Sequence, residues 1–400
     1  MRTVGPSAAR PEQIRRHNLS TLLRHLHLHG QVSRSELASL TGLNRSTIGG
    51  LVGDLVDLGV VSQRSPTRNS KGAGRPAYVV VARPRSVHVV AVDVDVDSVQ
   101  VAAVGLGGDV LGRVRWQLHD GNRSATAVVD DVVPAIRQLT ASLPHSHRVG
   151  IGASVPAMVA DPSGLAVYAP NLDWSDEPFG ELLGDRLNEP VLIGNDADLA
   201  TLAEQRRGVA AGLRHVVCVL GRVGVGGGVI VDGHLLRGAR GYAGELGHMS
   251  LQADGPLCHC GNHGCVEEYV GEAAILRSAR EAGLEISALA TLFEQAERGD
   301  AVAGEVVATA ARWFGRGLAN LANVLNPEAF VASGHLAEVL RVAEPSVREG
   351  LERGMVTIGR APITLLQGGI RDASLVGAAE LAFEELLAAP DLLGTPRPAS

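Results

Sequence analysis

The chain has 400 residues, of which 45% are hydrophobic and only 3% aromatic, so its cores must be built from small aliphatic side chains. This length is too great for one ordinary hydrophobic core, and two or three domains are expected. Charges or glycines interrupt every apolar run before it reaches the length of a membrane span, and Met1–Arg10 lacks the apolar stretch of a signal peptide. We therefore expect a soluble, cytoplasmic protein with no membrane partner.

The net charge of −7 is unevenly distributed along the chain. Residues 1–85 carry 13 basic and 4 acidic side chains, a net charge of +9, whereas the remainder carries 23 and 39, a net charge of −16. A small basic unit ahead of a large acidic one is typical of nucleic-acid binding by the first and small-molecule or protein binding by the second. Charge alone leaves a merely solvated basic face as an alternative.

Three helices are predicted in the basic part, after a disordered N-terminus over residues 1–13. Leucines recur at helical spacing over residues 14–30, which predicts the first helix. Ser33 and Glu36 have the spacing of a capping box and begin the second helix. After a tight turn, the third helix covers residues 44–58. The last two helices form a helix-turn-helix, whose second helix enters the DNA major groove.

A basic hairpin follows, with strands at residues 60–61 and 78–81. The tip includes Lys71 and Arg75, and such a wing can lie in a narrow minor groove that attracts arginine. The alternative is a flexible linker that does not touch DNA. We predict a winged helix-turn-helix over residues 14–85, with DNA contacts from Arg34, Asn44, Arg45, Ser46, Thr47, Lys71 and Arg75. Because one such domain reads few base pairs, we expect paired half-sites in the operator and a homodimer or homotetramer.

The acidic part predicts an α/β fold. Three strands come first, within residues 87–116, followed by a helix over residues 124–143. Strands then alternate with helices, and a second round starts at Val216 and continues to a strand at residues 329–332. This order suggests two related α/β lobes with a ligand cleft between them.

Three of the four cysteines, Cys258, Cys260 and Cys265, fall within eight residues, and His248 lies just upstream. Three thiolates and one imidazole are a ligand set that tetrahedral Zn²⁺ accepts when no position is left for water. A disulfide would leave an odd thiol, and no signal peptide precedes it, so we predict one structural Zn²⁺ per chain. Cys218 lies in an apolar run and is expected to be a plain buried residue.

The chain resembles the ROK family (repressors, open reading frames and sugar kinases). The residues that carry the resemblance are Gly241-x-Ala243-Gly244-Glu245-Leu246-Gly247-His248-Met249, Cys258-x-Cys260-Gly261-x-x-Gly264-Cys265-x-Glu267, Asn195-Asp196-Ala197, Gly224-Val225-Gly226-Gly227-Gly228 and Asn320-x-x-Asn323-x-x-Asn326-Pro327. The resemblance runs from about Val87 to Leu387. It implies a two-lobed, actin-like and ribonuclease-H-like domain, which we place at residues 86–390 with its zinc motif at 248–265. The preceding winged helix-turn-helix resembles the transcription-factor branch of the family.

The resemblance also implies a sugar site. Its members would be Asn195, Asp196, Glu245, His248 and Glu267, with Asn171 as a further contact. Sugar hydroxyls both donate and accept hydrogen bonds, so carboxylates and amides suit them. Asp196 matches the general base of the kinase branch.

The phosphate-binding features of the kinase branch are degenerate in this chain. An Asp-x-Gly-Gly-Thr turn is replaced by residues 93–97, where both glycines are missing and Asp95 and Asp97 would face a triphosphate. The threonine before the second glycine loop is Val223, and the Gly-Gly pair near the adenosine site is Ser333-Gly334. We therefore predict a sugar-responsive regulator of carbohydrate-metabolism genes, a repressor without enzymatic activity. The alternatives are an ATP-dependent sugar kinase carrying a DNA-binding domain, and a zinc-stabilised scaffold that binds a phosphotransfer protein and no sugar.

Overall fold

The computed structural model describes residues 10–64, 78–119, 123–356 and 361–393. The chain divides into two compact units. The first comprises Met1–Ala153, Pro178–Ile193 and Ala378–Ser400, and the second comprises Ser154–Glu177 and Gly194–Gly377. Among the described helices, none is long and apolar enough to cross a membrane.

The α-helices of the described chain are α1 (Pro11–His29), α2 (Arg34–Thr41), α3 (Arg45–Asp57), α4 (Ala125–Ala141), α5 (Phe179–Leu187), α6 (Asp196–Arg207), α7 (Glu267–Val270), α8 (Glu272–Glu281), α9 (Leu289–Glu297), α10 (Ala301–Leu325), α11 (His335–Gly354) and α12 (Ala373–Ala388). The strands are β1 (Gln31–Ser33), β2 (Val61–Arg64), β3 (Val79–Ala82), β4 (Val87–Val94), β5 (Ser98–Gly105), β6 (Val110–Gln117), β7 (His147–Val155), β8 (Met158–Ala160), β9 (Leu165–Ala169), β10 (Trp174–Glu177), β11 (Leu192–Asn195), β12 (Val216–Gly221), β13 (Val225–Val231), β14 (His234–Leu235), β15 (Ala329–Gly334) and β16 (Thr364–Gln367).

The first unit begins with the winged helix-turn-helix. Helices α1 to α3 bury the predicted leucine stripes, and a three-stranded antiparallel sheet in the order β1-β3-β2 completes the domain. Helix α1 begins at Pro11, three residues earlier than predicted. Proline suits the first helical turn, and the Gln13 side chain accepts a hydrogen bond from the Arg10 amide at 3.0 Å. The order of the elements confirms the predicted winged architecture.

The same unit contains most of a five-stranded sheet in the order β11-β7-β4-β5-β6. Every residue of β4 and β5 is buried, and nearly all of them are small or β-branched, as expected from the scarcity of aromatic residues. Ser124 caps helix α4 by accepting a hydrogen bond from the Ala127 amide at 3.3 Å.

The second unit contains a five-stranded sheet in the order β14-β13-β12-β15-β16. Strand β12 pairs antiparallel with β13 and parallel with β15, and β15 pairs parallel with β16. The long helix α10 packs closely against α11. Their backbones approach so closely at Gly315 that a Cβ there would lie 2.1 Å from the carbonyl oxygen of Val347. A small sheet in the order β10-β9-β8 belongs to this unit and was not predicted.

Candidate functional site

The predicted metal ligands lie together in the second unit. The donor atoms of His248, Cys258, Cys260 and Cys265 are all within 4.8 Å of one another. The Sγ atoms of Cys260 and Cys265 are 3.7 Å apart, and the Cys258 Sγ is 3.7 Å from the His248 Nδ1. A tetrahedral site with zinc–sulfur bonds of 2.3 Å has sulfur–sulfur edges of about 3.8 Å. The donor set therefore fits Zn²⁺ in both chemistry and spacing.

Local hydrogen bonds shape the loop that carries the cysteines. The Cys258 amide donates to the Asn262 carbonyl at 2.8 Å, and the Gly261 amide donates back to the Cys258 carbonyl at 2.9 Å. An isolated bridge between Ser250 and Cys265 joins the two ends of the loop. The loop geometry is thus fixed by the backbone as well as by the ligands.

Glu267 follows the last cysteine at the start of α7. Its Oε2 accepts a hydrogen bond from the Val225 amide at 2.7 Å, and its Oε1 lies 3.2 Å from the Nδ1 of His259. The exposed His259 lies between two predicted metal ligands and was not singled out from the sequence. The only feature of the sequence that could have pointed to His259 is its position between Cys258 and Cys260.

Asn195 and Asp196 occupy the start of α6. The Asn195 Oδ1 accepts from the amides of Ala197 at 2.9 Å and Asp198 at 3.1 Å, and its Nδ2 donates to the Ala157 carbonyl at 3.0 Å. Asn195 is thus an N-cap that also ties α6 to the chain beside β8, a role that its predicted sugar contact did not include. Asp196 is half-buried in the first turn, where the helix dipole favours a carboxylate.

Glu245 lies just before a short 3-10 turn, Leu246–His248, that presents the histidine. Burial raises the pKa of the Glu245 carboxyl, His248 opposes this shift, and Glu267 adds to it. The preceding Gly244 has φ +106°, and a Cβ there would lie 2.6 Å from the Gly227 carbonyl oxygen. Glycine is needed at this position because the loop is pressed against β13.

Asp198 is a further acidic residue of this region that the sequence reasoning missed. Its side chain is buried, and its Oδ1 has no hydrogen-bond partner. Burial raises the pKa of Asp198 to about 8; Arg237 opposes this, and Glu245 and Asp196 add to it. The predicted sugar ligands Asp196, Glu245 and Glu267 therefore lie near enough to one another, or to Asp198, to interact electrostatically.

Asn171 is placed differently from the other predicted sugar ligands. It is exposed in the turn between β9 and β10. Its sugar contact remains a prediction.

The predicted DNA-contacting residues fall into three groups. Asn44 caps α3, and its Oδ1 accepts from the Thr47 amide at 2.9 Å and from the Ser46 hydroxyl at 2.6 Å, so this oxygen is engaged in the cap. Arg45 is exposed at the start of the same helix. The half-buried Arg34 turns toward the wing. It donates to the Gln63 Oε1 and lies 5.6 Å from the centre of the Tyr78 ring. Lys71 and Arg75 lie outside the described residues.

Comparisons with known proteins agree with this architecture. The model of the ROK family matches residues 89–385. The xylose repressor of Bacillus spizizenii is 27% identical over 377 residues, which cover 94% of this chain and 97% of the repressor. A glucokinase of Streptomyces coelicolor is 33% identical over 279 residues, which cover 64% of this chain and 86% of the glucokinase.

A crystal structure of a ROK family transcriptional regulator, a homolog of the Escherichia coli MLC protein, matches with a TM-score of 0.78 and 21% identity. The match covers 94% of this chain and 97% of that one. It confirms the fold as a winged helix-turn-helix followed by a two-lobed, actin-like ROK domain. The chain belongs to the ROK family.

Proposed function

We propose that this protein is a sugar-responsive transcriptional regulator, a repressor of carbohydrate-metabolism genes. The observation that carries the proposal is the share of this chain that aligns with each kind of relative. The xylose repressor aligns over 94% of the chain, including the helix-turn-helix, whereas the glucokinase aligns over 64%. One chain thus combines a DNA-binding domain with a cluster of residues of the types that bind sugar hydroxyls. This combination suits a protein whose DNA binding responds to a sugar.

The helix-turn-helix contributes the DNA contacts in this proposal. Arg45 is exposed at the N-terminus of α3 and is free to reach a base edge, whereas Asn44 and Thr47 are partly committed to the helix cap. Arg34 has a supporting role, because its guanidinium holds α2 against the wing strands through Gln63. Lys71 and Arg75, which were predicted from the sequence, complete the proposed interface.

One Zn²⁺ on His248 and the three cysteines would be structural, because four protein ligands leave no position for a substrate. The metal would hold the loop whose ends carry Glu245 and Glu267, the two acids proposed to accept hydrogen bonds from sugar hydroxyls. The remaining proposed contacts come from Asn195 and Asp196 at the start of α6, with Asn171 as a further contact.

Two further observations support the absence of kinase activity. Asp93, at the head of the degenerate phosphate turn, accepts a hydrogen bond from the Gln100 Nε2 at 3.0 Å, and both side chains are buried. The His335 ring packs on Gly221, where a Cβ would lie 2.6 Å from the ring, and the His335 Nε2 donates to the Val270 carbonyl at 2.8 Å. This ring occupies space beside Ser333-Gly334, where the family resemblance places adenosine.

Helix α12 makes two polar contacts with other helices. The hydroxyl of Ser374, at its start, donates to the Asp196 carbonyl at 3.1 Å. Further along the same helix, Glu380 lies 3.1 Å from the His27 Nε2 of α1. For a sugar to relieve repression, it would need to bind more tightly to the form of the protein that fits DNA poorly.

The proposal is tested with full-length protein and an operator selected from random duplexes. We expect paired half-sites, a homodimer or homotetramer by light scattering, and loss of fluorescence anisotropy of the labelled operator when one sugar of a panel is added. A coupled ATP assay on the same sugars should show no turnover. Sugar phosphorylation at an enzyme-like rate would favour the kinase alternative, and sequence-independent DNA binding would contradict the proposal.

A further inference from the structure

A cavity of about 270 Å³ lies between α10 and α11, within the second unit. Helix α10 contributes Thr309, Arg312, Trp313 and Arg316 to its wall, and α11 contributes Glu349, Gly350 and Arg353. None of these residues is among the predicted metal, sugar or DNA contacts. The cavity is therefore separate from the function proposed above.

The packing of the two helices brings the arginines of the cavity together. Residues of α10 that are three or four positions apart lie on one face of the helix, which places Arg312 and Arg316 on the same wall. The backbones approach closely, since a Cβ at Gly350 would lie 2.2 Å from the Arg312 carbonyl oxygen. A Cβ at Gly354 would lie 3.7 Å from the Arg316 Cδ, so the stem of this arginine lies along the end of α11. Arg353 completes the group from α11.

The charge of the cavity is opposite to that of its surroundings. Three guanidinium groups and the single carboxylate of Glu349 give the wall a net charge of +2. The chain after residue 85, by contrast, carries 23 basic and 39 acidic side chains. Arg312 and Arg316 are four positions apart, and like charges at this spacing destabilise a helix. A bound anion would remove this repulsion.

The arginines are available to such an anion. The Arg312 Nη2 donates to the Glu305 Oε1 at 2.6 Å, and the Arg353 Nη2 lies 2.9 Å from the Glu349 Oε1. Each of these ion pairs engages one terminal nitrogen, whereas a guanidinium has five N–H donors. All four side chains are more than one-third exposed, so the pairs are weak and open to competition. Among the residues that the structure describes, Arg316 has no ion pair.

Trp313 adds a flat apolar wall beside the arginines. Its ring packs on that of Tyr269, with ring centres 4.4 Å apart, and the Tyr269 hydroxyl donates to the Gln252 Oε1 at 2.8 Å. The indole is thus held in place from the side of α7. Aromatic rings prefer offset or tilted contacts with other rings, so the cavity suits a ligand with a ring next to its anionic group.

We propose that this cavity binds a small phosphate monoester that carries a flat ring, and that Arg316 is its principal contact. A phosphate monoester has three terminal oxygens and a charge of about −1.5 to −2 at pH 7, which matches the net charge of the wall. Guanidinium groups bind such oxygens in pairs. A monocarboxylate would compensate only half of this charge.

The test uses full-length protein labelled with fluorotryptophan, and phenyl phosphate as the probe. The chain has three tryptophans, and Trp313→Phe assigns the fluorine NMR resonance of the cavity. We expect phenyl phosphate to shift the Trp313 resonance to saturation and to leave Trp116 and Trp174 unchanged. Benzoate should bind at least about threefold more weakly, and benzyl alcohol should not bind. Absence of a saturable shift at Trp313, or equal affinity for benzoate, would overturn the inference.

Two variants that each remove one positive charge then test the role of Arg316. Arg316→Gln should weaken phenyl phosphate binding at least about tenfold, because charge-assisted hydrogen bonds are lost. Arg348→Gln is the matched control, since Arg348 also lies on α11 but is paired with Glu344 outside the cavity. It should change the affinity less than about twofold. The resonance of the buried Trp174 reports that each variant is folded. Equal weakening in both variants, or none in Arg316→Gln, would reject the site.

Discussion

Replacing His27 by leucine should loosen the contact between α1 and α12. The Gly107 amide donates to the His27 Nδ1 at 3.1 Å, so the proton lies on Nε2, which donates to Glu380 at 3.1 Å. Both side chains are buried, and the His27 ring packs on Phe383 at 4.7 Å between ring centres. Leucine keeps the apolar packing against Phe383 but removes the hydrogen-bond donor. The buried carboxyl group of Glu380 then loses this hydrogen bond.

Removing the donor of a buried hydrogen bond leaves its acceptor unsatisfied, which costs about 1 to 3 kcal/mol and more when the acceptor is charged, whereas replacing both partners with apolar residues is often nearly neutral. His27→Leu should therefore destabilise the α1–α12 contact by about 3 kcal/mol, the upper end of this range because the acceptor is a carboxyl group, and His27→Leu/Glu380→Leu should recover at least about 1 kcal/mol of this. The more exposed pair Arg24 and Glu384 gives a control in the same interface. Arg24→Leu should cost less than about 1 kcal/mol.

Hydrogen–deuterium exchange of peptides from α1 and α12 is the assay, because it reports local opening rather than one global transition. A loss of about 3 kcal/mol corresponds to exchange about 100-fold faster. The reasoning would be refuted if His27→Leu and Arg24→Leu had equal effects, or if the double variant were less stable than His27→Leu.

Three further predictions follow from single residues. Cys260→Ser should reduce zinc below one ion per chain by elemental analysis, whereas Cys218→Ala should retain it; full metal in Cys260→Ser would contradict the ligand set. Because the folded pKa of Asp198 lies above its unfolded value, this group costs stability as pH rises from about 4 to 8. The free energy of unfolding in urea should therefore rise for Asp198→Asn relative to the wild type as pH increases across that range. A difference in unfolding free energy that does not change with pH would reject the raised pKa. Asn44→Ala should cost about 1 kcal/mol through loss of the α3 cap, measured by exchange of the first α3 amides, and unchanged exchange would count against the cap.

Sequence patterns determined the features whose partners are close along the chain. The capping box of Ser33 with Glu36 and the cap at Asn44 formed as predicted, since such bonds join residues about three positions apart. The grouping of His248 with the three cysteines was also predictable, because these four residues lie within residues 248–265 and cysteine spacing restricts their geometry. The ROK motifs similarly indicated the fold, because they are short segments that are recognisable in the sequence alone.

Only the tertiary structure decided the features that depend on distant residues. In the sequence, Asp198 is only one more acidic residue in the first turn of a helix. Its Oδ1 is buried without a hydrogen-bond partner because of the tertiary fold, which places the loop around Gly244 over it. His27 and Glu380 are 353 residues apart in sequence. Arg34 donates a hydrogen bond to Gln63, which lies 29 residues further along the chain. Burial and electrostatic environment are set by the elements that pack around a side chain, and local periodicity contains no information about which elements those are.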